Sequence, residues 1–386
     1  MPAASELSAP PDSFSRNDLA CIVGLAVLVL VSRVAVRGGL YFVDGPRLVA
    51  AIRAGTYVIQ SPGYWAFAHL GGLFHNPVAG LAFWNILFST LGVPVFYLLC
   101  RERQPRRSLC ATAALAYGFT YFVWFAGEIH SCYASQILFP PLALLCALRW
   151  RRSEKLGWVA LLSLAAAVGF ALRPSDGVFL LPLWLFLLPR SGRFLRAWGI
   201  FFAIQAVCFP AWYIPTHYAM RAAHQPGSGS LILLSMRTVS PLFLGIQPRS
   251  LANIARVLVP SLAAFGVLLP ALFSRRHAED TRLGLVWLTP GLLFFLLCYM
   301  ADPHYMICLC GAWLWLTVTS FAARRAMICL LLCAFLNGAL FLAARPLSGD
   351  GNAANLVNFY VVKYCRYGLQ HQWSSTIGDG ARIPRP

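Results

Sequence analysis

Residues 18–36, DLACIVGLAVLVLVSRVAV, followed by residues 41–73, YFVDGPRLVAAIRAGTYVIQSPGYWAFAHLGGL, decide the fold of this chain. The first stretch is apolar over about 20 residues, the length at which a helix crosses a hydrocarbon core. The second places a carboxylate, Asp44, and two guanidinium groups, Arg47 and Arg53, just past the end of that helix. It then runs through glycine and proline to Ser61-Pro62-Gly63-Tyr64. An ionisable side chain kept where hydrocarbon meets water is expensive, so a functional role is the default expectation. A solvated loop would explain one such segment taken alone, but the pattern recurs along the chain.

Of the 386 residues, 59% are hydrophobic and only 11% charged, with a mean hydropathy of +0.66. A soluble domain carries about a quarter of charged residues. Apolar runs occur at 18–36, 78–99, 109–126, 133–150, 156–172, 177–189, 197–214, 253–273, 283–300, 304–322 and 326–344. Backbone groups in lipid must find their partners within the segment, so these runs predict helices. The alternation of a membrane barrel is absent. The expected fold is all-α: a polytopic helical membrane protein with about eleven transmembrane helices, of which the fifth and sixth are short, and a juxtamembrane helix or loop after the first. Residues 1–17 form a cytoplasmic tail, 18–344 the membrane domain and 345–386 an external tail.

Every second connection is basic. Arg101, Arg103, Arg106 and Arg107 form one group, Arg149, Arg151, Arg152 and Lys155 another. Arg190, Arg193 and Arg196 follow, then Arg275, Arg276 and Arg282, then Arg324 and Arg325. The short connections between them hold a single cation, Arg173. The positive-inside rule puts the basic set in the cytoplasm. The formal charge of +18 is therefore topology and anionic-lipid contact, not a nucleic-acid footprint. The N-terminus lacks a basic leader and a small-residue cleavage pattern, so the first span reads as a signal anchor. Twelve cysteines without a CxxC pair read as buried small side chains.

Acids on the cytoplasmic side, Glu6, Asp12, Asp18, Glu102, Glu154, Glu279 and Asp280, read as solvated charge balance beside arginines. Four others, Asp44, Glu128, Asp176 and Asp302, fall at external helix ends, where they can line one outward-facing cleft as an acid/base site. Arg173 lies between Pro174 and the preceding span, with Asp176 close behind. A planar guanidinium there suits phosphate, and an ion pair with Asp176 is the structural alternative. Residues 127–133, GEIHSCY, bring together Glu128, His130 and Tyr133, and residues 302–305, DPHY, repeat acid, imidazole and phenol. A His–carboxylate pair could bind a divalent metal, but no HxxxH or DxD spacing supports one. Tyr41, Tyr57 and Tyr64 taken singly are ordinary interfacial aromatics.

These segments in this order resemble the GT-C class of integral-membrane glycosyltransferases, above all its protein O-mannosyltransferase-like branch. There the first external loop reads acid, small residue, aliphatics, glycine, then Pro-Gly-Tyr-Pro. Here it reads Asp44-Gly45, Ala50-Ala51, Gly55, then Pro62-Gly63-Tyr64, with Trp65 in place of the proline. The family's Glu-x-Tyr element resembles Glu128-Ile129-His130, with the tyrosine displaced to Tyr133, and its Arg-Tyr resembles His304-Tyr305.

The resemblance implies a multi-pass protein of the bacterial inner (plasma) membrane whose site faces outward. It implies inverting transfer of a hexosyl or mannosyl-type sugar from a polyprenyl-phosphate-linked donor to a hydroxyl on a protein, lipid or glycan. Asp44 and Glu128 are then the catalytic carboxylates. Arg47, Arg53, Tyr64, His130, Arg173, Asp176, His304 and Tyr305 are the substrate-binding set. A transporter or lipid flippase is the alternative, and it predicts mid-membrane charges and an internal repeat, neither of which the sequence has. A non-catalytic scaffold would not need acids matched to the external mouths.

Overall fold

The computed structural model describes residues 15–36, 44–58, 63–127, 130–187, 193–223, 233, 236–238, 240–273, 278–298 and 303–344. All regular structure in them is helical. In chain order the helices are α1 (Arg16–Val36), α2 (Asp44–Arg53), α3 (Gly63–Gly72), α4 (Pro77–Arg101), α5 (Arg107–Gly118) and α6 (Tyr121–Ala126). They continue with α7 (Ser135–Ser153), α8 (Leu156–Leu172), α9 (Ser175–Leu187), α10 (Phe194–Ala222) and the single turn α11 (Pro241–Leu244). The last four are α12 (Pro248–Phe265), α13 (Ala278–Leu297), α14 (Ile307–Ser320) and α15 (Ala323–Ala344).

Each of the eleven apolar runs is mostly helical over its described residues, with residues 119–120, 298 and 321–322 outside the helices. Six stretches are long and apolar enough to cross a bilayer: α1, α4, α7 with its leading turn, α10, α12 with its trailing turn, and α13. α8, α9 and α14 are apolar but shorter. With 13 residues, α9 rises only about 20 Å, as its short apolar run predicts. The long connection at 215–252 is shorter than the sequence suggested, because α10 continues to Ala222 and α12 begins at Pro248. The tail expected to be external, 345–386, lies outside the described residues.

The span expected at 109–126 is broken. α5 stops at Gly118 and α6 restarts at Tyr121. A break at membrane depth needs new partners for the freed backbone groups. Arg33 of α1, fully buried, donates to the Gly118 carbonyl at 2.5 Å. Asn337 of α15 accepts from the Tyr121 N–H at 2.8 Å, and the Thr120 hydroxyl bonds the Tyr117 carbonyl at 3.0 Å. Apart from the Thr120 bond, the supports of this break come from α1 and α15, far away in the sequence.

α7 and α14 form the centre of the bundle, while α1 and α10 expose most of their apolar surface, as lipid-facing helices do. Close crossing of α4 and α7 rests on Gly92, where an added Cβ would lie 2.4 Å from the Ile137 carbonyl oxygen. Small residues at such crossings let membrane helices approach.

The basic connections meet at one end of the bundle, and here Asp18 and Glu102 depart from the solvated role expected of them. Asp18 is 2% exposed and accepts from Tyr97 at 2.6 Å, from Arg101 at 3.0 Å and from Arg107 at 3.3 Å. Glu102 pairs with Arg149 and Arg152, Arg103 with Asp280 at 3.0 Å, and Arg151 with Glu279 at 2.5 Å. These bonds tie α1, α4, α5, α7 and α13 together. Asp18→Ala leaves two guanidinium groups and a buried phenol without their shared acceptor. We expect it to cost about 3 kcal/mol, read as a lowered unfolding midpoint in detergent. A loss below about 0.5 kcal/mol, the level of a surface charge, would return Asp18 to the solvated role.

Candidate functional site

The candidate site lies at the end of the bundle opposite the ion pairs, where α1 and α8 end and where α4, α7, α9 and α14 begin. Asp44 opens α2, where a carboxylate complements the positive end of the helix dipole. Leu48, Val49, Ala51 and Ile52 bury one face of this short helix and leave Arg47 and Arg53 exposed. Gly55, at φ 70°, closes it in the left-handed conformation that favours glycine. The Asp44 side chain is buried and accepts a short hydrogen bond from the Tyr64 hydroxyl in the first turn of α3. Burial pushes the Asp44 carboxyl above the ordinary 3.8, opposed by the Tyr64 bond and by the charges of Arg47 and Arg173.

From Tyr64 the contacts lead inward. Its hydroxyl lies 3.3 Å from that of Tyr133, in the 3-10 turn Cys132–Ala134 that leads into α7. The Arg173 guanidinium sits 4.2 Å over the Tyr133 ring and 5.2 Å from the Tyr305 ring. Arg173 leaves α8 in extended backbone, φ −146° and ψ 87°, because Pro174 disfavours helix at the residue before it. The side chain, half-buried, lies against the rings of Tyr133 and Tyr305. Its Nε is buried without a hydrogen-bond partner. Asp176 does not pair with it: Gln136 of α7 donates to Asp176 Oδ1 at 2.5 Å. The other oxygen, Oδ2, has no partner, and Asp176 lines a small cavity with Pro140, Phe179, Leu180, Trp287 and Cys308.

The structure thus gathers Asp44, Tyr64, Arg173, Asp176 and Tyr305, all expected from the sequence, with Arg47 within electrostatic reach of Asp44. It does not gather Arg53, which sits at the far end of α2, about 14 Å of helix rise from Asp44. His130 is buried against the backbone of Val78 at the start of α4, and burial pushes it down to about 4, so it is neutral at pH 7. A neutral imidazole turned to Val78 is no cation for a phosphate. Glu128 and Asp302 lie outside the described residues. His304 belongs to the turn Pro303–Met306, and its side chain is likewise outside them. Among the described residues no group of three or more His, Cys, Asp or Glu side chains gathers to hold a metal.

Two side chains join the site that the sequence reading did not assign, Tyr133 and Gln136. Tyr133 stood in the GEIHSCY segment, matched to the displaced tyrosine of the family's Glu-x-Tyr element, but was given no site role. The signal that finds both is spacing: Tyr133 and Gln136 stand three apart, as Arg173 and Asp176 do.

Comparison with known proteins agrees with this architecture. Residues 62–214, starting at Pro62-Gly63-Tyr64, match the family model described as dolichyl-phosphate-mannose-protein mannosyltransferase. The chain superposes on the crystal structure of ArnT from Cupriavidus metallidurans bound to undecaprenyl phosphate with a TM-score of 0.56 and 15% identity, over 95% of this chain and 76% of that one. The apo state of the same ArnT gives a TM-score of 0.49 at 12% identity, over 94% and 75%. The arabinofuranosyltransferase AftD from Mycobacteria gives 0.47 at 20%, over 86% of this chain and 28% of that one. No curated protein matches the sequence. The fold shared with ArnT is the GT-C fold, the class that the segment from Asp44 to Tyr64 resembles in sequence.

Proposed function

We propose that this protein transfers a sugar from a polyprenyl-phosphate-linked donor to an acceptor hydroxyl at the external face of the membrane. The observation that carries the proposal is the joining of a buried carboxylate, Asp44, to a half-buried guanidinium, Arg173, through two tyrosines at one end of the bundle. Removal of a proton from an acceptor hydroxyl needs a positioned base. The leaving group is a phosphate already, so it needs a cation rather than a strong acid. Asp44 takes the acceptor proton, and its burial, which raises its proton affinity, favours that role. The hydroxyl oxygen bonds to the anomeric carbon while the carbon–oxygen bond to phosphate breaks. The freed phosphate keeps the electron pair and rests on Arg173. Attack from the face opposite the phosphate inverts the anomeric centre. Arg47 lies near enough to Asp44 to help hold the anionic donor.

Matching of residues 62–214 to the mannosyltransferase family model supports a hexose donor, and the ArnT fold likeness supports a polyprenyl carrier. Purified protein should bind polyprenyl phosphate, by native mass spectrometry in detergent, at least about tenfold more tightly than the same polyprenol without phosphate. Equal binding of the two lipids would mean that no phosphate site exists and would sink this reading.

A further inference from the structure

We propose that Gln136 is a positioning residue, and that its hydrogen bond to Asp176 is the clamp that holds Arg173 over Tyr133. The inference rests on the phosphate role given to Arg173 above, but its geometry stands on its own. Tyr133 is fixed to Gln136 through the start of α7, where the Ser135 hydroxyl bonds the Cys132 carbonyl at 2.7 Å. Arg173 is fixed to Asp176 through the start of α9, where the Asp176 N–H bonds the Arg173 carbonyl at 3.0 Å. Each pair is three residues apart on a rigid turn. The Gln136–Asp176 bond at 2.5 Å joins one turn to the other, in parallel with the 4.2 Å stacking of Arg173 on Tyr133.

Charge does not explain this arrangement. An arginine and an aspartate three residues apart, both at one mouth, would gain most from pairing directly. Instead the amide of Gln136 occupies one carboxylate oxygen, while Arg173 Nε and Asp176 Oδ2 stay buried without hydrogen-bond partners. Buried polar atoms are left so only where something else is gained. Here the gain is an arginine that makes no direct ion pair with its neighbour, so its guanidinium remains available for an anion. Gln136 holds the carboxylate away and sets the separation of α7 from α9 at the same time.

The test uses the full chain with Gln136→Leu, Asp176→Asn and the double variant Gln136→Leu/Asp176→Leu. The single Gln136→Leu change leaves a buried carboxylate bare and can unfold the protein. The double change replaces both partners by apolar groups, which is close to neutral for stability, and so keeps the test alive. In the double variant the unfolding midpoint should move little, while transfer falls about 10- to 100-fold, as misplacement of a binding group by about 1 Å does, and polyprenyl phosphate affinity falls with it. Asp176→Asn keeps an acceptor for Gln136 and should lose less than the double variant on both measures. An experimental structure of the double variant should show Arg173 displaced from the Tyr133 ring, beyond the roughly 6 Å of a cation–π contact. Arg173 still stacked on Tyr133 in that structure would overturn the clamp, whatever the ligand. Wild-type protein that binds no polyprenyl phosphate would instead overturn the functional reading.

Discussion

Asp44→Asn abolishes transfer, with an expected fall of about 10²–10⁴ in rate, while the protein still inserts and folds. The substitution is chosen for what it keeps. Asparagine has the size of aspartate and its carbonyl oxygen still accepts from Tyr64, so the start of α2 stays joined to α3. Only the proton acceptor is lost. The pH dependence follows with a definite sign. Burial raises the Asp44 carboxyl above 3.8, and a base works only when deprotonated. The wild-type rate therefore falls as pH drops through a value above 3.8 and rises as Asp44 loses its proton. In Asp44→Asn the residual rate should lack that acid limb. Initial rates of both proteins across the pH range check the two statements together, and near-wild-type turnover in Asp44→Asn would remove this residue from the mechanism.

Arg173 carries the second large effect. Arg173→Ala should weaken polyprenyl phosphate binding about 30-fold or more, equivalent to about 2 kcal/mol, the lower range for removing one partner of a desolvated charge pair. Arg173→Lys keeps the charge but loses the planar fork and much of the stacking on Tyr133, so it should recover only part of that affinity. The sequence left a structural alternative, an ion pair with Asp176, and the two accounts differ in what stability does. Were Arg173 there for Asp176, Arg173→Ala would lower the unfolding midpoint and Arg173→Ala/Asp176→Ala would restore some of it. The structure gives the Asp176 carboxylate to Gln136 instead, so no such recovery is expected. Affinity and midpoint measured on the same three variants separate the accounts. Unchanged affinity together with recovered stability would leave the phosphate role without support.

The helical frame was legible because apolar runs of bilayer length are a strong local signal, and all eleven fall on helices. Asp44, Tyr64 and Arg173 were legible for a related reason: a charge or a Pro-Gly-Tyr turn beside such a run stands out against an apolar background. What stayed hidden depends on residues far apart in the chain. The break between α5 and α6 is held by Arg33 and Asn337, from the first and last helices. Asp18 looked solvated because its partners, Tyr97, Arg101 and Arg107, come from two other helices. Gln136 is an unremarkable amide in sequence and gains its role only when α9 packs beside α7. Arg53 erred the other way: it seemed near Asp44 in sequence, and a straight ten-residue helix carries it to the opposite end.

The central claim is the transfer of a sugar from a lipid phosphate, and one measurement meets it directly. Purified wild-type protein in lipid nanodiscs is incubated with a panel of radiolabelled polyprenyl-phosphate sugars and an acceptor mixture, and free polyprenyl phosphate and labelled acceptor are scored together. The account predicts that at least one donor yields both products in equal amounts and that Asp44→Asn yields neither. Intact donors across the whole panel, or lipid phosphate released equally by wild type and Asp44→Asn, would contradict it.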